Sequence, residues 1–276
     1  MRSVGAALVA GLIALSAAPI AAQPARPPLT DLGRGELIAR VQRSVVHVKA
    51  VSEPPAPPAP VAESKRSRSR PKTPLGLEEF LRNFSGKDPR APRREEGTGF
   101  VYDGARDLVV TAAHIVDKAK TLTVVLPGGV ERPATLAGID PRHGVAVLHV
   151  PGLDLPALPL AARSPRTGET TIVVGWMIAA RSILASQGMV MGAFATEALT
   201  GAESIDLARY HALDNLLPNG GFGGSPAVDA DGNVIGLVSA IFSAGGFGQQ
   251  ALTLVIAVDR LRPVVEAMLV ATPANP

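Results

Sequence analysis

Short apolar stretches broken by turn residues run through most of this chain, and their spacing changes along it. Near the start, Leu32, Leu37, Ile38 and Val41 fall close to a 3.6-residue period, which predicts a short helix over 31–43. A first strand follows over 45–51. From Gly97 onward, β-branched and aliphatic runs at 99–102, 108–111, 121–126, 135–139 and 145–150 alternate with turn signals. Those signals include Asp103-Gly104, Pro127-Gly128-Gly129 and Asp140-Pro141. A Pro-rich bridge at 151–165 precedes a second series at 171–174, 187–190, 226–228, 234–240 and 252–258. In that series Asp231-Gly232 is a strong hairpin signal. The chain then closes as an amphipathic helix over 258–270, despite Pro263. Two sets of short strands joined by a bridge predict an all-β fold of two barrels with a C-terminal helix.

Composition agrees with many short strands. The 276 residues are 46% hydrophobic and 18% charged, enough apolar material for one sizeable core or two small ones. The 28 glycines and 25 prolines are scattered, and such punctuation favours strands over long helices. A net charge of +3 gives a nucleic-acid partner no global electrostatic support. The absence of cysteine excludes disulfides, a thiol nucleophile and a thiolate zinc site. His47, His149 and His211 lie in or beside strands without metal-ligand spacing, so neither a metal nor another cofactor is expected. Trp176, the single tryptophan, is expected to cover the second barrel, with the peptide groove as the alternative.

Two segments depart from the strand rhythm. Residues 1–22 combine Arg2, an apolar run over 4–15 and small residues ending at Ala22, the pattern of a secretory signal peptide. Cleavage after Ala22 places the protein in the periplasm or outside the cell; an uncleaved anchor is the alternative. Residues 23–51 hold the first helix and strand. Residues 52–96 then change to a Pro-rich and Arg-rich composition that cannot build a core, and are read as a mobile loop insertion. Its basic run Lys65 to Lys72 is a solvated linker or a contact for an anionic surface. The remaining divisions are 97–150 for the rest of the first barrel, 151–165 for the linker, 166–258 for the second barrel and 259–276 for the closing helix and tail.

Thr111-Ala112-Ala113-His114-Ile115-Val116 follows a strand and resembles the catalytic-histidine motif of trypsin-like serine proteases. Gly97-Thr98-Gly99-Phe100-Val101, Gly138-Ile139-Asp140-Pro141-Arg142, Val145-Ala146-Val147-Leu148, Gly232-Asn233-Val234-Ile235-Gly236 and Ala257-Val258-Asp259-Arg260 narrow the resemblance to the HtrA/Deg branch. Residues 77–84 also resemble part of the long loop that this branch inserts after its first strand. The ordered set covers roughly residues 30–270. It implies a trypsin-like double six-stranded β-barrel, peptide or unfolded-protein substrates, a homotrimer as a candidate assembly, and a protease domain without the usual following PDZ domain.

The resemblance also exposes two departures. The family acid falls at Gly144, inside His143-Gly144-Val145-Ala146-Val147, and the family nucleophile falls at Gly223, inside Gly221-Phe222-Gly223-Gly224-Ser225-Pro226. A serine hydroxyl needs an imidazole to take its proton, and the imidazole needs a carboxylate to fix its tautomer. With hydrogen side chains at both positions, the retained His114 has nothing to activate and nothing to orient it. Ser225 lies two residues on, about 6.6 Å along extended chain, too far for a base that needs hydrogen-bond reach. The backbone N–H groups of Gly221 and Gly223 still supply an oxyanion-hole loop. The expected function is an exported pseudoprotease that binds peptides or proteins. The alternatives are an active endopeptidase with Ser225 as displaced nucleophile, and a scaffold subunit of an envelope complex.

Overall fold

A computed structural model describes residues 31–53, 92–193, 210–215, 217, 220–243 and 251–271. The signal-like segment 1–22, the basic run from Lys65 to Lys72 and the amphipathic piece at 77–84 lie outside the described residues. Helix α1 (Asp31–Gln42) leads into β1 (Val45–Ser52), followed by β2 (Arg93–Asp103), β3 (Leu108–Ala112), the one-turn helix α2 (Ala113–Val116), β4 (Ala119–Val125), β5 (Glu131–Asp140) and β6 (Val145–His149). These six strands close a barrel in the order β1-β2-β3-β6-β5-β4. The second barrel comprises β7 (Thr170–Met177), β8 (Ser182–Ala193), β9 (Tyr210–Leu213), β10 (Pro226–Val228), β11 (Val234–Ser243) and β12 (Ala251–Ala257). It closes in the order β10-β11-β12-β9-β8-β7, and α3 (Val258–Ala271) follows. The fold is the trypsin-like double six-stranded barrel with a C-terminal helix.

The strands carry apolar residues on both faces because each face meets a different core. Val46, Val48, Val109, Ala146 and Leu148 fill the first barrel, and Val173, Ala227, Ile235 and Val255 fill the second. Their neighbours Val45, Val110, Val145, Val147, Ile172, Val174 and Val228 point the other way, into a seam between the barrels. Leu37 and Val41 of α1 and Leu261 and Val265 of α3 seal that seam. Leu261 and Val265 are fully buried on either side of Pro263. Their packing holds α3 together where proline removes one helical hydrogen bond.

Several boundaries differ from the sequence reading. Strand β2 begins at Arg93, pairing Ser52 with Arg93 and Lys49 with Glu96, so the insertion read as 52–96 is shorter at both ends. The charged run 93–96 has no apolar period to signal a strand; its backbone pairing with β1 supplies the structure. Strand β8 reaches back to Ser182, well before 187; its first half is mostly exposed, and the apolar run Ile183-Leu184-Ala185 lacks the polar alternation of a half-buried strand. Strand β9 is missing from the runs read in the sequence, apart from the placing of His211 in or beside a strand, and it pairs with both β8 and β12. Among the described residues no helix is long and apolar enough to cross a membrane.

Candidate functional site

Strand β3 is buried along its length and passes directly into α2, whose other three residues are buried while His114 faces outward. The Ala113 N–H donates to the Gly144 carbonyl at 2.9 Å, docking the start of α2 on the β5–β6 turn. The His114 ring makes no hydrogen bond among the described residues. One edge of the ring meets solvent, yet the surrounding protein desolvates it enough to lower its pKa from the usual 6.5, against the opposing field of Glu95.

Gly144 adopts φ 72, the left-handed region. A side chain there would find space, since a Cβ would lie 3.5 Å from Ser239 Oγ and 3.6 Å from Ile256 Cδ1. The neighbouring carboxylate, Asp140, is engaged within its own turn: it accepts from the His143 N–H at 2.9 Å and pairs with His143 Nδ1 at 2.7 Å. Burial works to raise the Asp140 pKa, and the His143 bonds outweigh it, so the net direction is down.

The loop over 220–225 approaches from the other barrel. Thr98, fully buried in β2, holds it at two points: its N–H donates to the Gly223 carbonyl at 2.8 Å, and its Oγ1 donates to the Gly221 carbonyl at 2.7 Å. That Oγ1 also accepts from the Trp176 N–H at 2.8 Å, while Thr111 Oγ1 donates to the Thr98 carbonyl at 2.6 Å. Gly223 thereby faces the imidazole. A Cβ on Gly223 would sit 2.9 Å from His114 Nε2 and 3.0 Å from Cε1. The N–H groups of Gly221 and Gly223 donate to nothing among the described residues. Ser225 is fully buried, and its hydroxyl has no hydrogen-bond partner among the described residues. It occupies the space that a side chain on Gly175 of β7 would need.

Of the four sequence-derived positions, His114 and Gly223 meet, Gly144 is joined to α2 through its backbone, and Ser225 packs against Gly175. Thr98 and Thr111 lie inside motifs that carry the resemblance, yet the sequence assigns them no role, because their bonds reach across to distant backbone; Ser239 lies outside those motifs. Trp176 also differs from expectation. It bridges the barrels rather than covering one, stacking on His47 of β1 with ring centroids 4.3 Å apart and planes 10° from parallel. His47 in turn pairs with Glu96 at 3.0 Å.

Residues 97–237 match the family model described as "Trypsin-like peptidase domain". The "Probable periplasmic serine endoprotease DegP-like" of Chlamydia pneumoniae is 29% identical over 177 residues, spanning 61% of this chain and 34% of that protein. A protein of the same name from Brucella suis biovar 1 (strain 1330) is 29% identical over 219 residues, spanning 70% of this chain and 40% of that protein. The solved structure "HtrA-type protease AlgW with tripeptide" superimposes with a TM-score of 0.61 at 22% identity, covering 85% of this chain and 63% of that one. The chain thus spans about a third to two fifths of the length of these curated relatives.

Proposed function

The chain belongs to the trypsin-like peptidase domain family, with a domain of the HtrA/Deg type, and from that premise we propose that it is an exported protein that binds peptide or unfolded-protein segments without cleaving them. The observation that carries this reading is Gly223. It faces the imidazole so closely that a Cβ on it would fall 2.9 Å from His114 Nε2, where a nucleophile would have to stand, and it has no side chain. Gly144, at the position of the orienting acid, likewise offers no carboxylate, and Asp140 is engaged by His143. Ser225 is a poor substitute, since its hydroxyl is buried against Gly175 and bonded to no base.

Binding requires none of the missing groups. Strand β10 pairs with β11 only as far as Leu237, whereas β11 runs on to Ser243 alongside β12. Its other edge over 239–243 has no strand partner among the described residues, which suits pairing with an extended peptide. The unengaged N–H groups of Gly221 and Gly223 suit a peptide carbonyl beside that edge. Export is supported by the signal-like pattern of 1–22 and by relatives named as periplasmic.

The test is labelling by a fluorophosphonate probe alongside hydrolysis of unfolded casein. The wild-type chain should bind casein peptides, take up no probe and release no fragments. An oxyanion hole and binding alone leave only about 10³–10⁴-fold acceleration over water, far below a working protease. Cleavage that disappears in Ser225→Ala would overturn the reading and make Ser225 the nucleophile.

A further inference from the structure

A cleft of about 490 Å³ opens where the end of α1, the β4–β5 turn and the β7–β8 hairpin converge. None of its lining residues belongs to the loop that carries Gly223. One wall is the stacked pair of His47 and Trp176, and Leu126 and Ile183 add aliphatic surface. Two cations line the same cleft, Arg43 and Arg181, and no acidic side chain does. Neither guanidinium has an ion-pair or side-chain hydrogen-bond partner among the described residues. Both carboxylates beside the cleft are engaged: Glu96 pairs with His47, and Glu131, whose charge acts on His47, pairs with Lys49.

Arg181 is held there against its own preference. Its φ of 49 lies in the left-handed region, where glycine is at ease and a longer side chain costs roughly 1–2 kcal/mol. Its N–H closes the hairpin turn on the Ile178 carbonyl at 3.2 Å. That turn sets Arg181 on the lining of the cleft.

The volume, the mixed aromatic and aliphatic lining and a small number of placed polar groups match the general character of small-ligand sites. A guanidinium fork pairs with a carboxylate through two parallel hydrogen bonds. A bare inorganic anion would satisfy the arginines and leave the aromatic and aliphatic walls wet. A neutral apolar ligand would cover the walls and leave both cations unanswered. We propose that this cleft binds an aliphatic carboxylate, its head on Arg43 and Arg181 and its body against Trp176. A peptide ending in an aliphatic residue and a short fatty acid both have this chemistry.

Trp176 is the only tryptophan, so the intrinsic fluorescence of the full chain reports directly on this wall. Titration with N-acetyl-alanyl-leucine and with octanoate should give a saturable change for at least one of them, and the tighter ligand names the source. The corresponding carboxamide should bind at least about tenfold more weakly, as loss of a charge-assisted hydrogen bond implies. Arg43→Gln should weaken binding by a similar factor. Arg181→Gly should do the same while raising the thermal midpoint, because it relieves the left-handed strain; a merely structural arginine would not separate the two effects. Inorganic phosphate, which leaves the aromatic and aliphatic walls wet, should bind more weakly than the carboxylate. The proposal is overturned if neither carboxylate saturates into the millimolar range, if carboxamide or phosphate binds as tightly, or if both arginine variants bind like the wild type.

Discussion

At Gly224 the backbone takes φ 82, and a Cβ there would run into the Thr98 carbonyl and also meet Thr111 Oγ1 at 2.6 Å and Ala112 N at 3.0 Å. Neither backbone nor a buried hydroxyl can yield there. Gly224→Ala should therefore destabilise the fold by roughly 2–4 kcal/mol, seen as a lower urea midpoint at unchanged slope. Gly223 is a glycine of another kind. Its φ lies outside the left-handed region, and its added Cβ would crowd only the end of an imidazole that can shift by a few tenths of an ångström, with Ile115 Cδ1 at an ordinary 3.6 Å. The missing hydroxyl is thus a matter of residue choice that the backbone does not impose. Gly144 is intermediate, with room for a side chain but a left-handed φ that costs an aspartate roughly 1–2 kcal/mol. Gly144→Asp and Gly223→Ser made together should give measurable casein hydrolysis, while neither alone should, because the triad acts as a unit. The Gly144→Asp chain should also show the lower thermal midpoint of the two single variants.

Among the elements, β11 ties structure most directly to the proposed function. Its first part is paired on both sides, with β10 and β12, and a register shift between Val238 and Ala240 marks where the two-sided pairing ends. The last ladder bonds on the inner side are local ones: Gly224 N–H to the Val238 carbonyl at 2.8 Å, and Val238 N–H to the Ser225 carbonyl at 2.9 Å. The same stretch that anchors the Gly223 loop therefore continues outward as an unpaired edge. Hydrogen exchange with a saturating casein peptide should show new protection over 239–243, since a bound strand would engage backbone N–H groups now open to water. Protection confined to other surfaces would favour the scaffold alternative.

For the whole molecule, the decisive feature is that the catalytic-type residues come from different barrels. His114 follows β3 in the first, Gly223 precedes β10 in the second, and Thr98 bonds across to the Gly223 loop. Anything that loosens the seam separates them. Three histidines make the assembly sensitive to acid: burial is the leading cause that lowers the pKa of His47, His114 and His211 below the usual 6.5. The unfolded chain then binds protons that the folded chain resists, so their contribution is complete above pH 6.5 and is lost as pH falls through the folded values. The urea midpoint should be lower at pH 5.5 than at pH 7.5, and His114→Gln should remove part of that difference. A flat profile would mean that burial does not govern these rings.

The motif positions His114, Gly144 and Gly223 could be found in the sequence because each sits in a short, ordered stretch of chain whose neighbours repeat a family pattern. The barrels were legible for a related reason: strands buried on both faces leave continuous runs such as Val145-Ala146-Val147-Leu148, bounded by turn residues. Strand β8 was half hidden because its first residues are mostly exposed and its run Ile183-Leu184-Ala185 does not alternate with polar residues. Long-range arrangement was beyond the sequence's reach. Thr98 bonds to a loop more than a hundred residues away, and Ser225 turns its hydroxyl toward Gly175 because the left-handed Gly224 precedes it. The stack of His47 on Trp176 and the cleft beside it draw on widely separated segments. Local periodicity decides which residues are buried; only barrel closure and the docking of one barrel on the other decide which buried residues meet.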